Sequence, residues 1–332
     1  MKKYIYPVSF SLVLAAFTLF VVLDTFVISR PEEYVQGQVN TSMFASVNKT
    51  LSDTEKTEPV ITEESSSAVS ESKALTETAE TTGNSFSTEE GTLIGEYEND
   101  DAKIKLYRYY YENTVVYAAD IAVSSSEYIK TAFANGYYGK NVTAKTSTMA
   151  QQNNAILAIN GDYYGARESG YVIRNGIVYR DSNDGRDLLC VYADGTMRIV
   201  NSGEKTAQKL VDDGVWQAFS FGPALVQNSQ INVSVKAEVG KAMASNPRTA
   251  IGMIDSCHYV FVVSDGRTNE SQGLSLYQLA TFMQNIGVKT AYNLDGGGSS
   301  TLYFNGEIIN YPTTSGRSMK ERGVSDIVYI EK

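Results

Sequence analysis

The residues best suited to chemistry in this chain sit where apolar strands run out into glycine. The run Asn293-Leu-Asp-Gly-Gly-Gly-Ser-Ser-Thr301 closes a short strand over positions 290–294, so Asp295 stands at a strand end with three glycines behind it. Consecutive glycines bring backbone close to a ligand and turn the N–H groups of Gly296, Gly297 and Gly298 into an anion nest. The hydroxyls of Ser299 and Ser300 flank it. A plain connecting loop needs one or two glycines rather than three followed by two hydroxyls, and a P-loop is ruled out because no Lys follows and a strand comes next. A second acid has the same setting: Ala155-Ile-Leu-Ala-Ile-Asn160-Gly-Asp162-Tyr163-Tyr164 is a buried-type strand ending in an acid beside two tyrosines, the walls a ring-shaped ligand would need. Asn160-Gly161 alone reads as an ordinary turn, and its weight comes from the parallel with Asp295. A third element, Ser264-Asp265-Gly266-Arg267, is a common turn made notable by its arginine. Arg248 in Asn246-Pro-Arg-Thr and Arg322 in Glu321-Arg-Gly-Val-Ser325 add two more planar donor forks suited to phosphate or carboxylate, although a lone surface arginine is usually just solvated.

Composition narrows the options. With one histidine among 332 residues, a multi-histidine zinc site is impossible, and a Ser/His/Asp triad would have to use His258. That residue opens an apolar strand and reads as a structural histidine in the core. Cys190 and Cys257 adjoin apolar strands as core thiols that permit at most one disulfide. Trp216, Phe219 and Phe221 read as core rather than as a sugar platform. A net charge of −10 argues against nucleic acid as partner. The working groups are therefore carboxylates, arginines, serines and tyrosines. Asp, Asn and Ser oxygens also suit Ca²⁺ or Mg²⁺, but no EF-hand or other compact ligand spacing is present, and no cofactor is expected.

Three segments position these residues. Over residues 1–32, Lys2 and Lys3 precede an apolar stretch from Val8 to Ile28, about the length needed to cross a bilayer core of ~30 Å. A cleavable signal peptide has a shorter apolar part and a small-residue cleavage site, so an uncleaved anchor is the favoured reading. Lysines before the span and Glu32 and Glu33 after it put the N-terminus in the cytoplasm and the rest outside, in a single-pass cell-membrane topology. Residues 33–92 read as a disordered stalk rich in Ser, Thr and Glu. From Asn40 to Thr92, ten acids oppose Lys49, Lys56 and Lys73, a net −7 that leaves the remainder near neutral. Residues 93–332 read as one α+β domain, a mixed sheet with few helices. Strands are expected at 104–110, 115–123, 155–160, 188–192, 197–200 and 259–264. Helices are expected at 147–153 and after Ser275, with Gln278 completing a capping box and Gly287 as the stop. Asn305-Gly306 marks a type I′ hairpin.

The ordered set Asn160-Gly-Asp-Tyr-Tyr, Asn246-Pro-Arg-Thr-Ala-Ile-Gly252, Asp265-Gly-Arg267, Asn293-Leu-Asp-Gly-Gly-Gly-Ser-Ser300 and Glu321-Arg-Gly-Val-Ser325 resembles the phosphodiester glycosidase family, some of whose bacterial members are linked to exopolysaccharide. The resemblance spans about Ala155 to Ile330, and the Asn-Leu-Asp-Gly-Gly-Gly-Ser-Ser run is its most specific part. It implies an α+β domain that cleaves a sugar-1-phosphodiester in a polysaccharide or wall polymer. One departure is Asn246, where many relatives carry His. Such a reaction builds positive charge on the sugar and negative charge on the phosphate, calling for a carboxylate and for donors. The expectation is that Asp162 and Asp295 flank the anomeric carbon, one as nucleophile or base, the other as acid or water-orienting group. Arg248, Arg267, Arg322, Gly296 to Gly298, Ser299 and Ser300 would hold phosphate, with Asn160, Tyr163 and Asp265 completing the substrate site. A carboxylate separation of about 5–5.5 Å would signal retention and ~6.5–9.5 Å inversion. The competing reading is a membrane-tethered glycan-binding or assembly module without turnover.

Overall fold

The computed structural model describes residues 2–45, 85–237 and 245–332. The α+β expectation holds, sharpened by one finding: every strand pairing among the described residues is antiparallel rather than mixed. The largest sheet has eight strands, ordered Gln230–Ile231, Ala224–Gln227, Thr290–Asn293, Arg248–Asp255, His258–Ser264, Thr114–Val123, Ala102–Tyr111 and Thr92–Glu98. A five-stranded sheet runs Glu307–Ile308, Leu302–Phe304, Ala155–Asn160, Asp326–Glu331 and Lys130–Phe133. The two share a core in which Ile104, Leu106, Ile121, Phe261 and Tyr292 of the first meet Leu157, Ile159, Leu302 and Val328 of the second. A second five-stranded sheet, Met197–Asn201, Asp187–Tyr192, Val215–Phe219, Val172–Arg174 and Ile177–Arg180, completes the domain and buries Trp216, Phe219 and Cys190.

The local signals behave as their chemistry dictates. The helix Leu276–Asn285 starts at the Ser275–Gln278 capping box, with both reciprocal hydrogen bonds formed. Its face of Leu276, Leu279, Ala280 and Met283 covers the outer side of the eight-stranded sheet, each large side chain contributing about 1.5–3 kcal/mol of apolar burial. Asn305 and Gly306 take φ values of 47° and 99°, as the expected hairpin turn between Phe304 and Glu307 requires. The Thr146–Gln152 helix also lies where expected. His258 is placed differently. It opens its strand partly exposed, opposite Ala122 on one side and Asp255 on the other, and its Nε2 lies 2.6 Å from Oδ1 of Asp120, an acid two residues along the Thr114–Val123 strand that holds the ring at the sheet margin. Both cysteines are free thiols.

The N-terminal region departs most from expectation. Lys2–Phe26 is one helix whose Val8–Thr25 window has mean hydropathy 2.1 and no buried share, long and apolar enough to cross a membrane. The chain after it does not leave the domain as a stalk. Arg30–Tyr34 pairs antiparallel with Tyr137–Lys140, Val35 is buried against Phe133, Tyr138 and Tyr164, Asn40 bonds the backbone of Asn175, and Phe44 packs edge-on against Trp216 at 5.1 Å. At the far end of the expected stalk, Phe86 lies against Tyr107 and Ser87 N–H donates to the Ile286 carbonyl. The expected stalk between these ends, 46–84, lies outside the described residues.

Candidate active site

Strand register gathers the chemistry at one end of the packed sheets. In the eight-stranded sheet Arg248 pairs with Ser264, and Ala250 with Asn293, so the start of one strand and the ends of two others share an edge. In the facing sheet Asn160 pairs with Ile327 and Leu302 with Ile159. Asn160 ties the two edges together: its Nδ2 donates to the Asp295 carbonyl at 2.6 Å, while its Oδ1 accepts from Thr249 Oγ1 and the Thr301 N–H. Asp295 N–H in turn donates to the Gly161 carbonyl. The loops carrying the two expected catalytic acids are therefore in direct contact. Asn160 spends its polar atoms on this clasp.

Asp162 is buried and fully engaged. Its Oδ1 accepts from the Tyr164 N–H at 3.1 Å and lies 3.0 Å from Arg174, and its Oδ2 accepts from the Ser220 N–H at 3.1 Å. Arg174 also bonds Asp326 Oδ2 at 2.8 Å through Nε and donates to the Ala218 carbonyl. Its guanidinium lies 4.4 Å from the Phe219 ring centroid. One fully buried cation thus serves two buried carboxylates. Burial pushes the Asp326 carboxyl up, the Arg174 charge opposing it and Asp162 reinforcing it. Asp326 Oδ1 has no hydrogen-bond partner, and a Cβ on Gly161 would collide with this carboxylate. Neither Arg174 nor Asp326 is among the residues expected from sequence.

Asp295 is the more open acid. Burial pushes its carboxyl above the ordinary carboxylate value, opposed by the Ser299 hydroxyl, by Arg322 and by the Gly296 N–H. Over the glycine run sit two guanidinium groups. Arg267 donates to the Thr314 carbonyl at 2.7 Å and to Asn246 Oδ1 at 2.8 Å, and its NH2 would lie 2.9 Å from a Cβ on Gly297. Arg322 NH2 would lie 2.7 Å from a Cβ on Gly298. Desolvation and the charge of Arg322 both lower the Arg267 pKa. Two like charges beside a carboxylate, with backbone pared to glycine beneath them, make a receptor for an anion.

The remaining expected residues have supporting places. The Gly297 N–H is taken by the Pro247 carbonyl, and those of Ser299 and Ser300 by Gly296 and Gly297, so the 3₁₀ turn Gly297–Ser299 spends amides internally and the arginines supply the outward donors. The Ser300 hydroxyl has no hydrogen-bond partner. Arg248 is buried, its Nε donating to the Leu274 carbonyl and its side chain passing Gly296. Asp265 is buried one layer away. It accepts from the Tyr311 N–H and from Asn310, which also holds the Ser300 carbonyl and the Leu302 N–H. Asp265 therefore braces the glycine run from behind. Tyr163, next to Asp162 in the chain, is 44% exposed. Asn246 accepts from Arg267 through its Oδ1 and so orients it. Among the described residues no group of three His, Cys, Asp or Glu side chains gathers as a metal site.

An antiparallel sandwich with acids and arginines at one sheet end, over a Gly-Gly-Gly-Ser-Ser turn, is a mostly β-sheet protein whose site is built to receive an anion. Comparison makes it specific. The sequence model of the phosphodiester glycosidase family matches residues 153–331, more than half of the chain, and the chain belongs to that family. It is 29% identical over 184 residues to the SPbeta prophage-derived uncharacterized protein YomE of Bacillus subtilis (strain 168), covering 53% of this chain and 28% of that protein. It is 41% identical over 66 residues to N-acetylglucosamine-1-phosphodiester alpha-N-acetylglucosaminidase of Mus musculus, covering 20% of this chain and 13% of that one. The chain thus spans between about an eighth and somewhat over a quarter of the length of these relatives. The zebrafish enzyme of the same name, solved as a catalytic domain auto-inhibited by its pro-peptide, superposes with TM-score 0.56 at 20% identity, over 73% of this chain and 88% of that one. A hypothetical protein from Synechocystis superposes with TM-score 0.53 at 13% identity, over 70% and 62%. These two establish the fold.

Proposed function

We propose that the domain hydrolyses a sugar-1-phosphodiester outside the cell, in an extracellular polysaccharide or wall polymer, with the N-terminal helix as a single-pass anchor and its lysines in the cytoplasm. The observation that carries this reading is the pair Arg267 and Arg322, facing each other across Gly297 and Gly298 beside Asp295. The arginines hold the phosphodiester, and the C1–O bond breaks with its electron pair passing to the phosphate oxygen they stabilise. Such a leaving group departs as an anion, so the proton transfer that matters is at the attacking water. Asp295, made more basic by burial, takes that proton while the water oxygen bonds C1. If Asp295 instead attacks C1 itself, the first-formed anomer is retained rather than inverted. Asp162, its oxygens occupied by Arg174 and two amides, acts on the developing sugar cation through its charge. Tyr163 walls the ring.

The test uses the full chain and an N-acetylglucosamine-1-phosphodiester, the substrate type in the mouse relative's name. Asp295→Asn should lower kcat by 10²–10⁴-fold, the range for a lost proton-transfer group, while ligand affinity changes less than about threefold. Binding of the same ester by the unsubstituted chain with no product over days would favour the non-catalytic binding module.

A further inference from the structure

The strap after the N-terminal helix fixes where the candidate site stands relative to a membrane. The helix is apolar to Thr25. Asn141 then binds both sides of the junction: its side-chain Nδ2 donates to the Thr25 and Ile28 carbonyls at 3.0 and 3.2 Å, and its backbone N–H donates to the Gly165 carbonyl at 2.9 Å. Gly165 is three residues beyond Asp162, at most about 10 Å of chain. Strand pairing of Arg30–Tyr34 with Tyr137–Lys140 locks the same junction, and Gly139 leaves no room for a side chain there because a Cβ would strike the Arg30 carbonyl and Pro31. A cavity of about 520 Å³ lies between strap and site loop, with Arg30 and Glu32 on one wall and Tyr164, Gly165 and Arg167 on the other. Arg167 also acts on Asp295 through its charge. A bilayer adds only about 5–8 Å of headgroup region to each side of its ~30 Å core. With the helix spanning, the Asp162 loop stands at or just above headgroup level and cannot travel outward on a tether.

We infer that the substrate is membrane-borne: a saccharide joined through C1 to a phosphate whose second ester is a lipid alcohol in the same bilayer. This rests on the glycosidase reading above and narrows it. The C1–O bond breaks, water supplies the oxygen that stays on the sugar, its proton passes through Asp295 to solvent, and the lipid keeps the phosphate as a monoester.

The full chain is reconstituted in vesicles and given N-acetylglucosamine-1-phosphate esterified to butanol, or to hexadecanol placed either in the same vesicles or in separate ones. The hexadecyl ester in the same vesicles should turn over at least tenfold faster than the butyl ester at equal bulk concentration, and that in separate vesicles should stay intact. Because co-confinement alone raises local concentration, a strap-released variant, Gly139→Val with Asn141→Ala, separates placement from tethering. It should cut hexadecyl turnover at least fivefold and leave butyl turnover within twofold. Equal rates for the two esters, cleavage between separate vesicles, or an unchanged rate ratio in the released variant would overturn the membrane-borne substrate and leave the glycosidase reading standing. Cleavage of neither ester by the unsubstituted chain would overturn both.

Discussion

Replacing Arg174 with Met removes the cation that pairs with both Asp162 and Asp326 while keeping much of its apolar stem against Phe219. Breaking a buried pair by deleting one partner costs about 3–5 kcal/mol, because the charge left behind is uncompensated. Here two carboxylates are left, of which Asp162 keeps two amide donors and Asp326 keeps none. A loss near 4 kcal/mol at pH 8 is therefore expected, and it has a pH signature. Burial already holds the Asp326 carboxyl above its unfolded value, at about 7, with the Arg174 charge opposing that shift, so removing Arg174 raises it further. A buried acid with a raised folded pKa costs stability only where it must ionise, so the deficit relative to the parent is smallest below about 7 and grows as pH rises above it. Urea unfolding at pH 4.5, 6 and 8 reads this as a midpoint shift. With a slope of about 2 kcal/mol/M the shift at pH 8 is about 2 M, and at pH 4.5 less than half of that. Asp326→Asn added to Arg174→Met should recover about half of the loss, since the acid without other donors is then neutral. A deficit below about 1 kcal/mol, or one constant across this pH range, would refute the account of Arg174 as a shared counter-ion.

Two further outcomes follow from the glycine run. Arg322→Ala should reduce kcat/KM by about 10–100-fold, the cost of one charge-assisted donor, and Arg322→Lys should restore little because a point charge does not reproduce the fork; steady-state kinetics with the soluble ester reads both. If Asp295 is the base, kcat/KM falls as pH drops through a pKa held above the ordinary carboxylate value, and Arg322→Ala, which removes a charge that lowers that pKa, should move the acid limb to higher pH. A limb that stays in place, or moves down, would separate Arg322 from Asp295.

Much of the site was legible because strand ends announce themselves. Asp162 and Asp295 each follow an apolar strand and adjoin glycine, a pattern that marks both as acids on strand-end loops, and the folded chain brings those loops into contact. The same rule run backwards reaches Asp326, an acid at the head of the apolar Ile-Val-Tyr-Ile strand. Arg174 has no such mark. It lies in Val172-Ile-Arg174, ahead of an Asn-Gly turn, and a cation in a three-residue strand looks solvated until the sheet that buries it is known. Nor can spacing reveal which amides of a glycine run remain outward. That depends on the Pro247 carbonyl, just ahead of the Arg248–Asp255 strand, reaching the Gly297 N–H.

The strap escaped notice for a different physical reason. Average composition decides whether a segment can form a core of its own, and the stretch from Glu33 onward cannot. It does not decide whether a few side chains can complete a core that already exists. Val35 and Phe44 each fill a place beside aromatic residues of the domain, and burying two such groups yields about 3–6 kcal/mol. Strand pairing to Tyr137–Lys140 adds hydrogen bonds on an edge that would otherwise face water. That gain need only offset the ordering of some fifteen residues already tethered to the domain's own chain, a smaller cost than bringing in a separate molecule. A segment too poor in apolar residues to fold alone can thus dock in register, and in doing so it turns a tether into a strut.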